Sequence, residues 1–320
     1  MSESFSDRLI ESIEETNSRI CCGIDPRIKE IELNYDPNAK YWIPEFIVQE
    51  QVKKHGRKEG MAKAVEIYCK RLVEAVDDHV SIFKPNIAYF EALGPDGLIA
   101  LKNLTDFIHE NTRKMVLIDS KRADIGTTSL HYAIALFDEF RFDATTVNPY
   151  LGIDGISPFL EHFVKKKGKG IFILCKTSNP SSGDFQDKKV EEETLFNVVA
   201  KRIVEWGKDY KGERGYSNVG AVVGATYPEQ LKTLRKILEK NFLLIPGLGI
   251  QGGNAEDVAK LGMNPDGLGA VFNSSRGIDF AYQRIEGFSE ENWEEASRLK
   301  AKELKETINK VIHSKNIKNL

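Results

Sequence analysis

Residues 117–128 read LIDSKRADIGTT. An apolar run of the kind that forms a buried strand ends in Asp119, Lys121 and Asp124, and a glycine follows. Burying ions is costly unless they are paired. At least three charges gathered at one strand end therefore belong either to a solvated turn or to a working site.

The same arrangement recurs on both sides of this stretch. Apolar runs at 19–24, 80–84, 114–118, 144–147, 170–174, 219–223, 242–245 and 269–272 lack the polar alternation of half-exposed strands, as parallel strands covered on both faces do. Between them lie segments of helical period at 61–78, 95–111, 129–140, 191–209 and 228–239. Eight strands separated by helices predict an α/β fold, a (β/α)8 TIM barrel spanning 1–320 as one domain. No GxGxxG follows the first run, which disfavours the doubly wound alternative. Residues 25–60 predict a long loop with a short helix near 44–54, and the basic run KKHGRKEG within it predicts a solvated turn. Residues 289–314 predict a closing C-terminal helix capped by Ser289.

Composition narrows the function. The chain has 320 residues, 41% hydrophobic and 29% charged, with a net charge of −3, so no global basic field recruits nucleic acid. No stretch approaches the roughly 20 apolar residues of a membrane span. The acidic N-terminus does not resemble a secretory signal. Cys21, Cys22, Cys69 and Cys175 form no CxxC pair, which suits free thiols in a reducing cytoplasm.

In such barrels the active site forms where the strands end. Here those ends read GIDP (Asp25), FKPN (Lys84, Asn86), IDSKRAD, VNPYLG, CKTSNP (Thr177, Ser178), IPGLGIQGG (Pro246, Gln251) and VFNSSRGI (Ser275, Arg276). One Asp after a strand is ordinarily a helix cap, and one Lys ordinarily snorkels to water. Charges at successive strand ends are not explained by capping. The last two loops offer backbone N–H groups, hydroxyls and a guanidinium, the components of a phosphate site.

DSKRADIGTT, with GIDP and FKPN before it and PGLGIQ and NSSRGI after it, resembles the orotidine 5′-monophosphate decarboxylase family, from about Ile20 to Ile278. FKPNIAYFEALG and VNPYLG look like its longer branch, found in some bacteria and protozoan parasites. The resemblance implies decarboxylation of orotidine 5′-monophosphate to uridine 5′-monophosphate (UMP) and CO2, the last step of de novo UMP synthesis, with no metal and no organic cofactor. It implies that Lys84, Asp119, Lys121 and Asp124 form an alternating charge network, with Asp119 against the substrate carboxylate. Lys121 would stabilise and then protonate the C6 carbanion. Asp25 and Lys84 would bind the ribose hydroxyls, with Asn86 nearby. Ser178 or its neighbour Thr177 would bond the pyrimidine, Pro246 would wall it, and Ile125 would pack beside it. Gln251 and Arg276 would hold the phosphate, with the Ser275 hydroxyl in the same loop. Asp124 and Thr128 would enter the partner's site, making a cytoplasmic homodimer with shared active sites. The loops near 178–183 and 247–253 would close over the substrate.

Three rivals compete. Related sugar-phosphate barrels use magnesium and need an acidic ligand at the second strand end, where this chain has Lys84, a cation that repels the metal. A Schiff-base aldolase needs a lysine of lowered pKa, and the carboxylates around Lys121 act in the opposite direction. A non-catalytic phosphate-binding barrel would be expected to have lost a charge from the network, yet all four are present.

Overall fold

The computed structural model describes residues 3–248 and 255–317, with side chains to residue 312. Its strands are β1 (Ile20–Ile24), β2 (Ile82–Pro85), β3 (Met115–Arg122), β4 (Ala144–Val147), β5 (Gly170–Lys176), β6 (Ser217–Val223), β7 (Asn241–Pro246) and β8 (Ala270–Ser274). They pair in parallel, each with its sequence neighbours, and β8 closes on β1. This is the expected closed (β/α)8 barrel. Each apolar run marks one strand, and β3, β5, β6 and β8 extend beyond their runs into polar residues.

Successive strand side chains point to opposite faces, so every second residue enters the barrel. Cys21, Ile82, Leu117, Ala144, Phe172, Val222, Leu244 and Val271 form one buried interior cluster. Two residues further along, the same inward rows deliver Lys84, Asp119, Thr146, Leu174, Pro246 and Asn273 to a single cavity at the C-terminal mouth. The alternation that fills the core therefore also aims the polar residues.

The N-terminal end of the barrel is plugged by α1 (Phe5–Thr16), a helix the sequence analysis did not anticipate. Ser4 caps it by accepting the Asp7 N–H at 3.2 Å. Phe5, Leu9, Ile10 and Ile13 are almost completely buried in the interior cluster, and each contributes about 1.5–3 kcal/mol by leaving water. Buried Asp143 ties the plug down. It accepts hydrogen bonds from Arg8 at 2.9 Å and the Val116 N–H at 2.9 Å, and lies 2.8 Å from His109 Nε2. Burial would push this carboxyl up, but His109, Arg8 and Lys169 hold it well below the usual carboxylate range. A depressed carboxylate stabilises the fold above its unfolded pKa and loses that contribution as pH falls. Asp143→Ala is expected to destabilise the protein by about 3–5 kcal/mol at pH 7. The deficit should shrink below about pH 4, as denaturant unfolding at the two pH values would measure.

Residues 25–60 hold more structure than the expected loop with one helix. They contain α2 (Lys29–Tyr35) and α3 (Glu45–His55). Ile43 and Ile47 are buried, which pulls this segment onto α4 (Arg57–Val76). The basic run is solvated but is not the expected turn: 53–55 end α3 and 57–60 begin α4, with only Gly56, whose φ is +79°, between the two helices. The helix expected over 129–140 is Gly126–Ile134 followed by a π turn, and the one expected over 191–209 starts only at Leu195, after a short hairpin. The C-terminal helix Trp293–Ile317 follows a 3₁₀ turn capped by Ser289, as expected.

Candidate active site

Asp119 stands at the centre of the mouth. Its Oδ2 accepts Lys84 Nζ at 3.3 Å and its Oδ1 accepts Lys121 Nζ at 2.6 Å. The Thr146 hydroxyl donates to Oδ1 at 2.9 Å and accepts the backbone N–H groups of Ser120 and Lys121, each at 3.0 Å. The Thr146 hydroxyl thus orients Asp119 and the end of β3 together. No motif in the sequence singles Thr146 out, although its place in the inward row of β4, one residue before Val147, is a usable signal.

Burial alone would raise the Asp119 pKa. The Lys84 and Lys121 charges, with hydrogen bonds from Lys121 and Thr146, overcome that and hold it far below the usual carboxylate range. Lys84 is the complement. Burial would discharge it, but Asp119 and Asp25 keep it protonated, well above an ordinary lysine. Lys121 differs from Lys84 in access: its side chain is 51% exposed against 4% for Lys84. Its backbone φ is +45°, a left-handed conformation unusual outside glycine. The β3–β4 register shifts between Ile118 and Arg122, and this irregularity turns the Lys121 ammonium over the mouth instead of along the strand.

The cavity is about 480 Å³, within the range of small-ligand sites. Asp25, Asn86, Thr177, Ser178, Pro246, Ser275 and Arg276 line it, as expected, together with Lys84, Asp119 and Lys121. Asn86 uses its side-chain oxygen to cap a short helix, accepting the Ala88 N–H at 3.2 Å. Thr177 and Ser178 separate clearly. The Thr177 hydroxyl donates to Asn179 at 2.6 Å and accepts from Gln186 at 2.8 Å, whereas no described residue bonds the Ser178 hydroxyl. Behind them, fully buried Lys176 pairs with Asp187 at 2.9 Å and Ser182 at 2.9 Å, pinning the segment that follows β5.

Two glycines permit close approaches. A Cβ on Gly23 would sit 1.9 Å from Ser275 Oγ, and one on Gly224 would sit 2.8 Å from Ser178 Cα. Both let a site residue lie against a neighbouring strand end.

Asp124, Ile125 and Thr128 do not line this chain's own cavity. They occupy the turn into the helix Gly126–Ile134, where Thr128 is exposed and Ile125 is 52% exposed. Ile125 therefore does not pack beside the base pocket of its own chain: past β3 the backbone has left the inward row. Gln251 and most of the 247–253 loop lie outside the described residues. Among the described residues, no cluster of three or more His, Cys, Asp or Glu side chains could hold a metal ion. The four cysteines are buried and unpaired, and no described helix is long and apolar enough to cross a membrane.

Lys84, Asp119 and Lys121 meet at the barrel mouth, and comparison with known proteins identifies the family that the chain matches. The orotidine 5′-phosphate decarboxylase / HUMPS family matches residues 18–286. The chain belongs to this family. The orotidine 5′-phosphate decarboxylase of Caldicellulosiruptor bescii is 41% identical over 319 residues, covering 97% of this chain and 99% of that protein. The OMP decarboxylase structure from Leishmania donovani is 31% identical with a TM-score of 0.73, covering 97% of this chain and 99% of that one. The Leishmania donovani UMP synthase structure is 32% identical with a TM-score of 0.75, and the chain spans 57% of its length.

Proposed function

We propose that the chain is an orotidine 5′-phosphate decarboxylase and performs the last step of UMP synthesis at this mouth. The observation that carries this is the pair of contacts on Asp119, which join a buried Lys84 to an accessible Lys121. Loss of CO2 breaks the C6–carboxylate bond and leaves the electron pair on C6. A fixed ammonium over C6 stabilises that charge as it develops and then donates the proton that completes UMP. The ionised Asp119 holds the Lys121 ammonium in place, accepting it at 2.6 Å.

Asp25 and Lys84 would hold the ribose hydroxyls, with the free amide of Asn86 nearby. Ser178 would bond the pyrimidine, a choice supported by the engagement of the Thr177 hydroxyl with Asn179 and Gln186, which uses its one donor. Pro246 would wall the ring. Arg276, which has no ion-pair partner among the described residues, would take the phosphate with Ser275 and Gln251. Arg276→Ala is expected to raise KM about 10- to 100-fold, the share of a charge-assisted forked contact, with an unchanged melting temperature. Steady-state kinetics with an unfolding scan would check both.

The magnesium-dependent sugar-phosphate chemistry of related barrels is disfavoured by Lys84, an ammonium where those enzymes need an acidic ligand.

The proposal includes a cytoplasmic homodimer whose sites are shared, with Asp124 and Thr128 entering the partner's cavity. Support comes from the face around them, where Ile125, Tyr150, Leu151 and Ile153 are 52, 86, 43 and 42% exposed. Apolar groups gathered in this way mark contact surfaces. Mixing inactive Asp124→Ala protein with inactive Lys121→Ala protein tests it. Recovered activity after subunit exchange supports a site built from two chains, and no recovery after demonstrated exchange contradicts it.

A further inference from the structure

Asp279 closes the short helix Arg276–Asp279 beneath the cavity, and its side chain is fully buried. It lies outside the charge network and does not line the cavity. Its Oδ2 accepts the backbone N–H of Asp25 at 2.9 Å. The need for that acceptor follows from the barrel. The β1–β8 ladder ends with Cys22 opposite Ser274, and the Asp25 N–H just beyond it is met by the Asp279 carboxyl. A buried N–H left without a partner is rarely tolerated.

Asp279 is itself firmly placed. Its carbonyl accepts the Tyr68 hydroxyl at 2.7 Å, and the preceding Ile278 carbonyl accepts the Ser297 hydroxyl at 2.8 Å. Tyr68 packs against Trp293 with ring centroids 4.6 Å apart. The acid is thus fixed from α4 and from the C-terminal helix, two elements that never reach the cavity. Its Oδ1 has no hydrogen-bond partner among the described residues, and neither does Oδ1 of Asp25.

We propose that Asp279 is a positioning residue: by holding the Asp25 peptide, it aims the Asp25 carboxyl at the ribose end of the cavity and so sets affinity for ribonucleotides. The inference rests on the ribose role proposed for Asp25. Burial and the neighbouring Asp25 charge push the Asp279 carboxyl well above its ordinary range. The contact with the Asp25 peptide needs only an acceptor oxygen, which a near-isosteric asparagine amide also supplies.

The experiment is calorimetric binding of UMP to wild type, Asp25→Ala, Asp279→Ala, Asp279→Asn and the Asp25→Ala/Asp279→Ala double variant, with unfolding temperatures measured in parallel. Asp279→Ala is expected to weaken UMP binding about tenfold, the scale of one well-aimed hydrogen bond. Asp279→Asn should stay within about twofold of wild type on the same scale, because the acceptor remains. In the Asp25→Ala background the second substitution should cost nothing further, since the side chain it aims is gone.

Losses that add in the double variant would overturn the inference, as would wild-type binding by a folded Asp279→Ala protein. If Asp279→Ala does not fold, Asp279→Leu fills the same volume without an acceptor and takes its place. If neither folds, Asp279 is a folding element and the positioning role is contradicted. Wild-type binding by Asp25→Ala would remove the ribose role itself and this inference with it. An effect of Asp25→Ala without one of Asp279→Ala would remove the positioning role alone.

Discussion

Lys121→Ala is expected to lower kcat by at least about 10⁵-fold while leaving UMP affinity within about tenfold of wild type. Two losses combine in that figure. A unit charge about 4 Å from the developing carbanion, at an effective dielectric near 20, is worth on the order of 4 kcal/mol, or about 10³ in rate. Loss of the positioned proton donor removes roughly another 10²–10⁴. Ground-state binding changes little because Lys121 is half exposed and its work is done at C6, while the phosphate and ribose contacts remain. Single-turnover decarboxylation together with UMP titration would measure the two effects separately. Retained turnover above a small fraction of wild type would take Lys121 out of this role.

Asp119→Asn is expected to damage both activity and fold. The substitution keeps the shape and an acceptor for Thr146 and removes the charge between two ammonium groups. Lys84, whose side chain is 4% exposed, then loses its nearest counter-charge. Removing one partner of a buried pair costs about 3–5 kcal/mol, softened here because Asp25 also favours the charged form of Lys84. Loss of the carboxylate that orients Lys121 should lower kcat on the order of 10²–10³. Urea unfolding and initial rates on one preparation would test the pair of effects. A stable protein with reduced kcat would separate the catalytic function of Asp119 from its structural one, and full activity would contradict the network.

Much of this site was legible in the sequence because parallel strands buried on both faces read as plain apolar runs. Their ends, and therefore Asp25, Lys84, Asp119 and Arg276, can be located from the order of residues alone. What was missed depends on contacts distant along the chain. The periodic Phe5, Leu9, Ile10 and Ile13 of α1 gain meaning only from the barrel interior they plug. Residues 25–60 read as a loop because Pro26, Pro37 and Pro44 break their pattern. Yet Tyr282 and Glu290 bond the Trp42 carbonyl and the Glu45 N–H from the far end of the chain, at 2.8 and 2.9 Å. Thr146 and Asp279 act by holding other side chains or peptides in place, and a hydroxyl or carboxyl with that task has no motif of its own. Ile125 lies off its own chain's cavity for a geometric reason: by that point the chain has turned out of the barrel into a helix.

The central claim is that the charge network centred on Asp119 removes CO2 from an orotate ring without a metal. It is tested by adding orotidine 5′-monophosphate to EDTA-treated protein and following the orotate ultraviolet band. The account predicts rapid loss of the band at a rate that added magnesium does not change. Loss that requires magnesium, or tight UMP binding with no loss at all, would contradict it.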